Sequence, residues 1–551
     1  MSVTVVVEPS DNAQTRQPNE HSGDSFKKMV ARFRASRIVV WVYLRLADLF
    51  ILPVNIFKSF KKKRICPPIT NKILMYKATE LAEFIRNQEI TSETAVRAYV
   101  ERVKEVNKLI NAVIDDRFDA AIEEAKSVDD LIKTKKHTVA DLRNKYPLLG
   151  VPLTVKGSID VAGMRNTSGL LVRKDVIPAE KDADALALAR TAGAIPILTS
   201  NIPELCLNWE SKNKLRGTTR NPYDVTKTVG GSSGGECSLM ASGASLIGIG
   251  SDIAGSLRLP AHFCGTWGHK PTPGVVSFRG HYPSCKDEGA WEETFTIGPL
   301  ARYATDLRLL LHLISQPNVR ENLDLFKPVD LSKLKIYYIE EMDSPVIDKP
   351  NNNVKKAMTR VIDHFNTISK INCTKINIPL MDYAGELAYL KLLDIDDVDN
   401  LFEGKGEGSF SELFKFLTFR SNCQFTSICY GILRKFSDVL LRNNIKVVNM
   451  KLEELKDELQ DLLKDDGVLI CPTFPAEAHY HNNIYRKLFN PAYCAAFNGL
   501  GFPVTNCPVS RTEDGLPVGL QVAAAPNCDR LSLAVAEEIE KAFGGWQPPS
   551  N

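Results

Sequence analysis

The stretch T-V-G-G-S-S-G-G-E-C-S-L-M-A-S-G-A-S-L-I-G-I-G-S-D-I-A-G-S-L-R-L-P, residues 228–260, governs how the rest of the chain is read. So dense a run of glycine and serine requires tight turns or a close approach of backbone to ligand. Inside it, residues 245–250 (S-L-I-G-I-G) form a short apolar run of the kind a buried strand makes. Working outward, residues 150–155 (G-V-P-L-T-V) read as a strand that runs into Lys156. Residues 182–191 read as an Ala/Leu helix ended by Gly193, and residues 195–198 as the next strand. Two more strands are expected at 467–471 and 515–523, and a closing helix at 530–543. Upstream, Val96, Val100, Val103, Val106 and Ile110 recur at helical spacing behind Thr91 and Ser92, which suit a helix cap. Strands alternating with helices predict an α/β fold on a mixed, largely parallel twisted sheet, covered by helices on both faces. Residues 327–463 read as helical and charged, without a chemical motif, and no internal repeat breaks the chain. One catalytic domain over 66–545 is the simplest division.

The bulk properties fit that picture. A chain of 551 residues that is 44% hydrophobic and 25% charged is globular rather than disordered. A net charge of +3 gives no global reason to expect nucleic acid. Twelve cysteines without a C-x-x-C pair argue against a disulfide scaffold or structural zinc, and point to free thiols in a reducing, intracellular compartment.

The N-terminus differs in kind. Residues 1–37 are polar, turn-rich and increasingly basic, and are expected to be disordered. Residues 38–57 (I-V-V-W-V-Y-L-R-L-A-D-L-F-I-L-P-V-N-I-F) are long enough to cross a bilayer, but Arg45 and Asp48 interrupt them. The insertion free energies of the apolar residues and of those two charges nearly cancel. Basic residues flank both sides, Lys27 to Arg37 before and Lys58 to Arg64 after, so orientation is not set. The expectation is a membrane-associated helix, either spanning or lying flat among anionic headgroups.

Three chemistries compete for residues 228–260. A phosphate loop would need Lys after the glycines, and G-x-x-x-x-G-K-[ST] is not met. A nucleophile elbow is met formally by Gly231-Ser232-Ser233-Gly234-Gly235, which would make Ser233 the nucleophile, but no HGGG-type loop lies upstream. The third uses Ser256, Ser232 and Lys156. A lysine at the inner end of an apolar strand must be paired or neutral, and a neutral amine is a general base. It would draw a proton from Ser256 through Ser232, while small residues before Ser256 leave backbone N–H groups free for an oxyanion.

These residues resemble the amidase signature family of serine–serine–lysine amide hydrolases. The resemblance rests on G-V-P-L-T-V-K-G-S-I-D-V-A-G-M-R-N-T-S-G (150–169), G-G-S-S-G-G-E (230–236), G-S-D-I-A-G-S-L-R-L-P-A (250–261) and G-L-P-V-G-L-Q-V-A-A-A-P (515–526). It implies Ser256 as the acyl-forming nucleophile, Ser232 as a bridging serine on a cis peptide bond, and Lys156 as the base. It also implies an oxyanion hole from the backbone amides of Ile253, Ala254, Gly255 and Ser256, with no cofactor and no metal. Ala254 stands where the family carries Gly, which is tolerated if φ there is negative. Asp252 would order the loop. Within the family the basic-flanked apolar N-terminus is similar to that of the fatty acid amide hydrolases, which implies a membrane-associated enzyme acting on long-chain lipid amides, and leaves a homodimer open. A glutamine-using amidotransferase subunit and a catalytically silent membrane scaffold are the alternatives. His479 and His481 could be imagined as a metal pair, but no acidic cluster accompanies them; His262 and His269 are expected to pack rather than react.

Overall fold

A computed structural model of the chain describes residues 4–6, 49, 53–57, 63–395, 398, 408–441 and 445–550. The strands among these are β1 (Thr4–Val6), β2 (Val113–Asp116), β3 (Pro152–Lys156), β4 (Ile195–Ser200), β5 (Lys212–Asn213), β6 (Gly217–Thr218), β7 (Ile247–Asp252), β8 (Trp267–Lys270), β9 (Thr296–Ala301), β10 (Lys335–Tyr338), β11 (Thr374–Asn377), β12 (Gly467–Pro472), β13 (Val504–Arg511) and β14 (Pro517–Ala524). β5 and β6 form a small hairpin of their own. The others build one sheet in the order β1-β11-β10-β12-β14-β13-β8-β9-β7-β3-β4-β2.

Both faces of this sheet are buried, and the side-chain alternation shows how. Along β12, Val468 and Ile470 join one apolar cluster while Leu469 and Cys471 join another. On the first side the helix Asn352–Ile368 presents Val354, Val361 and Phe365; on the second the helix Ile445–Leu463 presents Leu452, Leu455 and Leu459. The helix Ser92–Ile110 follows its sequence pattern, with Thr91 Oγ1 accepting from Thr94 N–H as the cap and Asn111 in the left-handed region at its end. The strands expected around Lys156, at 195–198, at 245–250, at 467–471 and at 515–523 are present, within two or three residues, as β3, β4, β7, β12 and β14.

The sheet is mixed, as expected, but it is not largely parallel, which corrects that part of the expectation. Its flanks are parallel, β1/β11/β10/β12 on one side and β7/β3/β4 on the other. The middle, from β12 through β14, β13, β8 and β9 to β7, is antiparallel, as is the edge pair β2/β4. The missing information lies in β8 (W-G-H-K), β9 (T-I-G-P-L-A) and β13 (V-T-N-C-P-V-S-R), where Gly or Pro interrupts any recognisable strand pattern. Their burial in the sheet overrides local propensity.

Of the N-terminal stretch, Thr4–Val6 pairs with β11 as the edge strand. The helix expected over 38–57 falls almost wholly outside the described residues; its end, 53–57, is helical, with Val54, Ile56 and Phe57 exposed. Among the described residues no helix is long and apolar enough to cross a membrane. All twelve cysteines are free thiols.

Candidate active site

Lys156 is the last residue of β3, and the strands on either side, β4 and β7, run parallel to it. The carboxyl ends of the three strands therefore open at one edge, the place where α/β sheets build ligand sites. β7 ends at Asp252, and the chain turns through Ile253, Ala254 and Gly255 to Ser256 before the helix Arg258–Cys264. Ser232 arrives separately, in the loop before the helix Gly234–Ala241, on a cis Gly231–Ser232 peptide bond. Ser233 N–H donates to the Ser256 carbonyl at 3.3 Å, which holds the two serine loops side by side.

Close approach of backbones demands the glycines. At Gly235 a Cβ would lie 2.4 Å from the Asn201 carbonyl oxygen. At Gly255 φ is +101° and a Cβ would meet Cys494 Cβ at 2.5 Å, so no side chain is tolerated one residue before Ser256. Ala254 lies outside the left-handed region, so its methyl group brings no backbone strain.

The Lys156 amine is fully buried and meets three neutral oxygens: Ser232 Oγ at 2.7 Å, Ser251 Oγ at 2.8 Å and the Ser251 carbonyl at 3.2 Å. Burial holds its pKa below the ordinary lysine range, against the opposing influence of Cys206, Asp252 and Glu236. A neutral amine 2.7 Å from a hydroxyl can take its proton. Ser256 is only 4% exposed.

Asp252 and Arg258, both fully buried, brace the turn. The carboxylate accepts from Gly255 N–H at 2.7 Å, from Leu257 N–H at 3.0 Å, and from Arg258 Nε and Nη2 at 3.1 Å. Burial raises the carboxyl pKa, but the Arg258 guanidinium and the two backbone donors outweigh it and hold the group ionised far below the usual range. Arg258 in turn donates to Asn498 Oδ1, Gln521 Oε1 and the Cys494 carbonyl. Of the four amides of the expected oxyanion hole, that of Gly255 is the one hydrogen-bonded to Asp252, and those of Ile253, Ala254 and Ser256 are the other three.

Sequence reasoning missed Arg258, Asn498, Gln521, Ser251 and His281 as supports of this centre. Arg258 and Gln521 lie inside the quoted motif stretches, but Asn498 and His281 sit where nothing local marks them. Beside the turn, Ala254 and Ile253 pack with Ala388, Tyr389 and Leu392 of the helix Met381–Asp394 and with Trp209, an apolar wall drawn partly from the motif-free region. Trp209 Nε1 donates to the Ala254 carbonyl at 3.0 Å.

The remaining candidates go elsewhere. Ser233 Oγ donates to the Ser251 carbonyl at 3.4 Å. His481 Nδ1 is tied to Glu210 at 2.6 Å, His262 lies between the Ala476 carbonyl and Gly519 N–H, and His269 between Thr505 and Asp529. Among the described residues no group of three or more His, Cys, Asp or Glu side chains is placed to hold a metal ion.

Comparison with known proteins identifies the family. The family model for Amidase matches residues 94–533. Fatty-acid amide hydrolase 2-A of Danio rerio is 39% identical over 526 residues, 94% of this chain and 97% of the relative. Fatty-acid amide hydrolase 2 of Homo sapiens is 39% identical over 495 residues, 88% of this chain and 92% of the relative. A solved structure of a fatty acid amide hydrolase superposes with a TM-score of 0.69 at 21% identity, covering 87% of each chain, and so supports the fold. The chain belongs to the amidase family and is an amide-hydrolysing enzyme similar to fatty-acid amide hydrolase 2.

Proposed function

We propose that this enzyme hydrolyses long-chain fatty acid amides, primary amides or acylethanolamides, to free fatty acid and amine through an acyl-Ser256 intermediate. The observation that carries the chemistry is the buried Lys156 amine, its pKa lowered by burial, 2.7 Å from Ser232 Oγ, with the Ser256 loop hydrogen-bonded alongside. Lys156 takes the Ser232 proton as Ser232 takes that of Ser256, and Ser256 Oγ attacks the amide carbonyl. The amides of Ile253, Ala254 and Ser256 hold the developing oxyanion. The proton returns through Ser232 to the amide nitrogen as the C–N bond breaks, which releases a neutral amine. Water, deprotonated along the same path, then cleaves the ester and restores Ser256.

The substrate class and the membrane rest on different support. Two relatives at 39% identity bear the name fatty-acid amide hydrolase 2. The helices Ser409–Leu417 and Phe425–Leu441 pack around Leu413, Phe416, Ile428 and Ile432, yet leave a second apolar face in solvent. On it Phe419 is 98%, Phe414 69% and Leu417 67% exposed, with Phe410, Leu433 and Phe436 beside them and Lys415, Arg420 and Lys435 among them. Exposed aromatics within a basic rim suit an anionic lipid surface. The helix pair adjoins the site: Gln424 N–H and Ser427 Oγ donate to Glu204, which opens the turn that ends at Cys206 beside Lys156.

Purified enzyme given oleamide and a short-chain amide in lipid vesicles tests the substrate class. Preference for oleamide in kcat/KM supports it, and cleavage of the short amide alone contradicts it.

A further inference from the structure

His281 lies next to the lysine and has no part in the chemistry described so far. It is 6% exposed, joined to Ile159 by a β-bridge three residues beyond Lys156, and packed on Phe295 at 4.6 Å between ring centroids. Its Nδ1 is 2.9 Å from the Pro283 carbonyl and its Nε2 is 3.1 Å from Ser251 Oγ. A carbonyl only accepts, so Nδ1 carries the hydrogen. Burial, with the Lys156 amine nearby, pushes the imidazolium down to about 3, so the ring is neutral and Nε2 is bare.

The hydrogen bonds then have one consistent direction. Bare Nε2 can only accept, so the Ser251 hydroxyl donates to it. Ser251 Oγ turns lone pairs alone toward Lys156 and accepts an N–H at 2.8 Å, while the Ser251 carbonyl accepts another at 3.2 Å. A neutral amine has two N–H bonds and one lone pair. With the two Ser251 oxygens accepting the N–H bonds, the lone pair is left for Ser232 Oγ, 2.7 Å away, and the Cys206 thiol is a further neighbour of the amine. When the amine takes the Ser232 proton, the ammonium has three N–H bonds and the same three oxygens accept them, so no group has to turn over. Were Nε2 absent, the Ser251 hydroxyl could rotate and donate to the lone pair, and the base would be aimed at the wrong serine.

We infer that His281 is a positioning residue that, through Ser251, aims the lone pair of Lys156 at Ser232. The inference rests on the serine–lysine reading above and deepens it.

Steady-state hydrolysis by the full-length chain tests it. His281→Phe keeps the ring and its packing on Phe295 but removes the acceptor; kcat is expected to fall about 10–100-fold with KM within about twofold, the scale of a misaligned reacting group. His281→Gln supplies an N–H for Pro283 and an oxygen for Ser251, and is expected to restore kcat to within about fivefold of the parent. Ser251→Ala should lower kcat, and adding His281→Phe to it should lower kcat no further, because both act through one hydroxyl. Unchanged kcat in His281→Phe, a His281→Gln variant as slow as the Phe variant, or multiplicative losses in the double variant would each overturn the inference. If the Phe variant does not fold, His281→Leu takes its place and the same comparisons apply. Turnover surviving in Lys156→Ala and Ser256→Ala overturns the relay itself; turnover lost in those two but intact in His281→Phe overturns only the role of His281.

Discussion

The centre around Lys156 and the helix pair at 409–441 invert the normal arrangement of a protein in opposite ways. At the centre, a lysine, an arginine, an aspartate and several serines are buried, and partners for their polar atoms are built in. On the helix pair, phenylalanines stand in solvent, outside the small apolar cluster that joins the two helices. Buried polar groups and exposed apolar ones both oppose the hydrophobic effect, so each needs a reason outside stability. On the reading proposed above, the reason at the centre is chemistry in a dry site, and on the helix pair it is a face turned to lipid.

The two regions can be broken separately. Ser256→Ala removes the nucleophile, and amide hydrolysis is expected to fall at least about 10⁴-fold while the folded chain keeps its vesicle binding. Arg258→Met leaves Asp252 buried without its partner and is expected to cost about 3–5 kcal/mol in chemical denaturation. The pH dependence has a definite sign. The folded Asp252 pKa is depressed, so its stabilising contribution is complete above the ordinary carboxylate pKa and is lost only as pH falls toward the folded value. In the Met variant that contribution is missing at neutral pH, so the stability gap to the parent should be widest there and should narrow as pH falls below the ordinary carboxylate pKa.

Phe414→Asp combined with Phe419→Asp attacks the other region. Cosedimentation with vesicles containing phosphatidylserine should weaken about 10–100-fold, since each buried aromatic would contribute about 1.5–3 kcal/mol at most. Hydrolysis of a soluble short amide should stay within about twofold of the parent. If both activities fell together, the two regions would not be separable as described. The smallest effect is expected at Ser233→Ala. It removes one long hydrogen bond to the Ser251 carbonyl, worth about 1 kcal/mol or less, and should change turnover less than about threefold. A large loss there would favour a nucleophile elbow.

The same contrast governs what the sequence discloses. Residues 228–260 are legible because backbone crowding admits glycine and little else, as Gly235 and Gly255 show, and such constraints leave a local mark. Lys156 is legible because a charge at the end of an apolar strand is anomalous in isolation. Asn498 and His281 are not, because their roles come from tertiary neighbours more than two hundred and about thirty residues away from Asp252 and Ser251 respectively. β8, β9 and β13 escape for a related reason: Gly and Pro hide them locally, and only the sheet around them makes them strands. The exposed phenylalanines look in sequence like one side of an ordinary amphipathic helix. Nothing local says that this apolar face has no core to cover.

The most direct test of the central claim is labelling of the full-length enzyme with a fluorophosphonate across a range of pH, with the modified peptide identified by mass spectrometry. The adduct should sit on Ser256. Its rate should rise with pH to a plateau as Lys156 loses its proton, at a pH below the ordinary lysine range because burial lowers that pKa, and Lys156→Ala should abolish both the rate and the rise. An adduct on Ser233, or a Ser256 adduct formed as fast in Lys156→Ala as in the parent, would contradict the serine–serine–lysine mechanism.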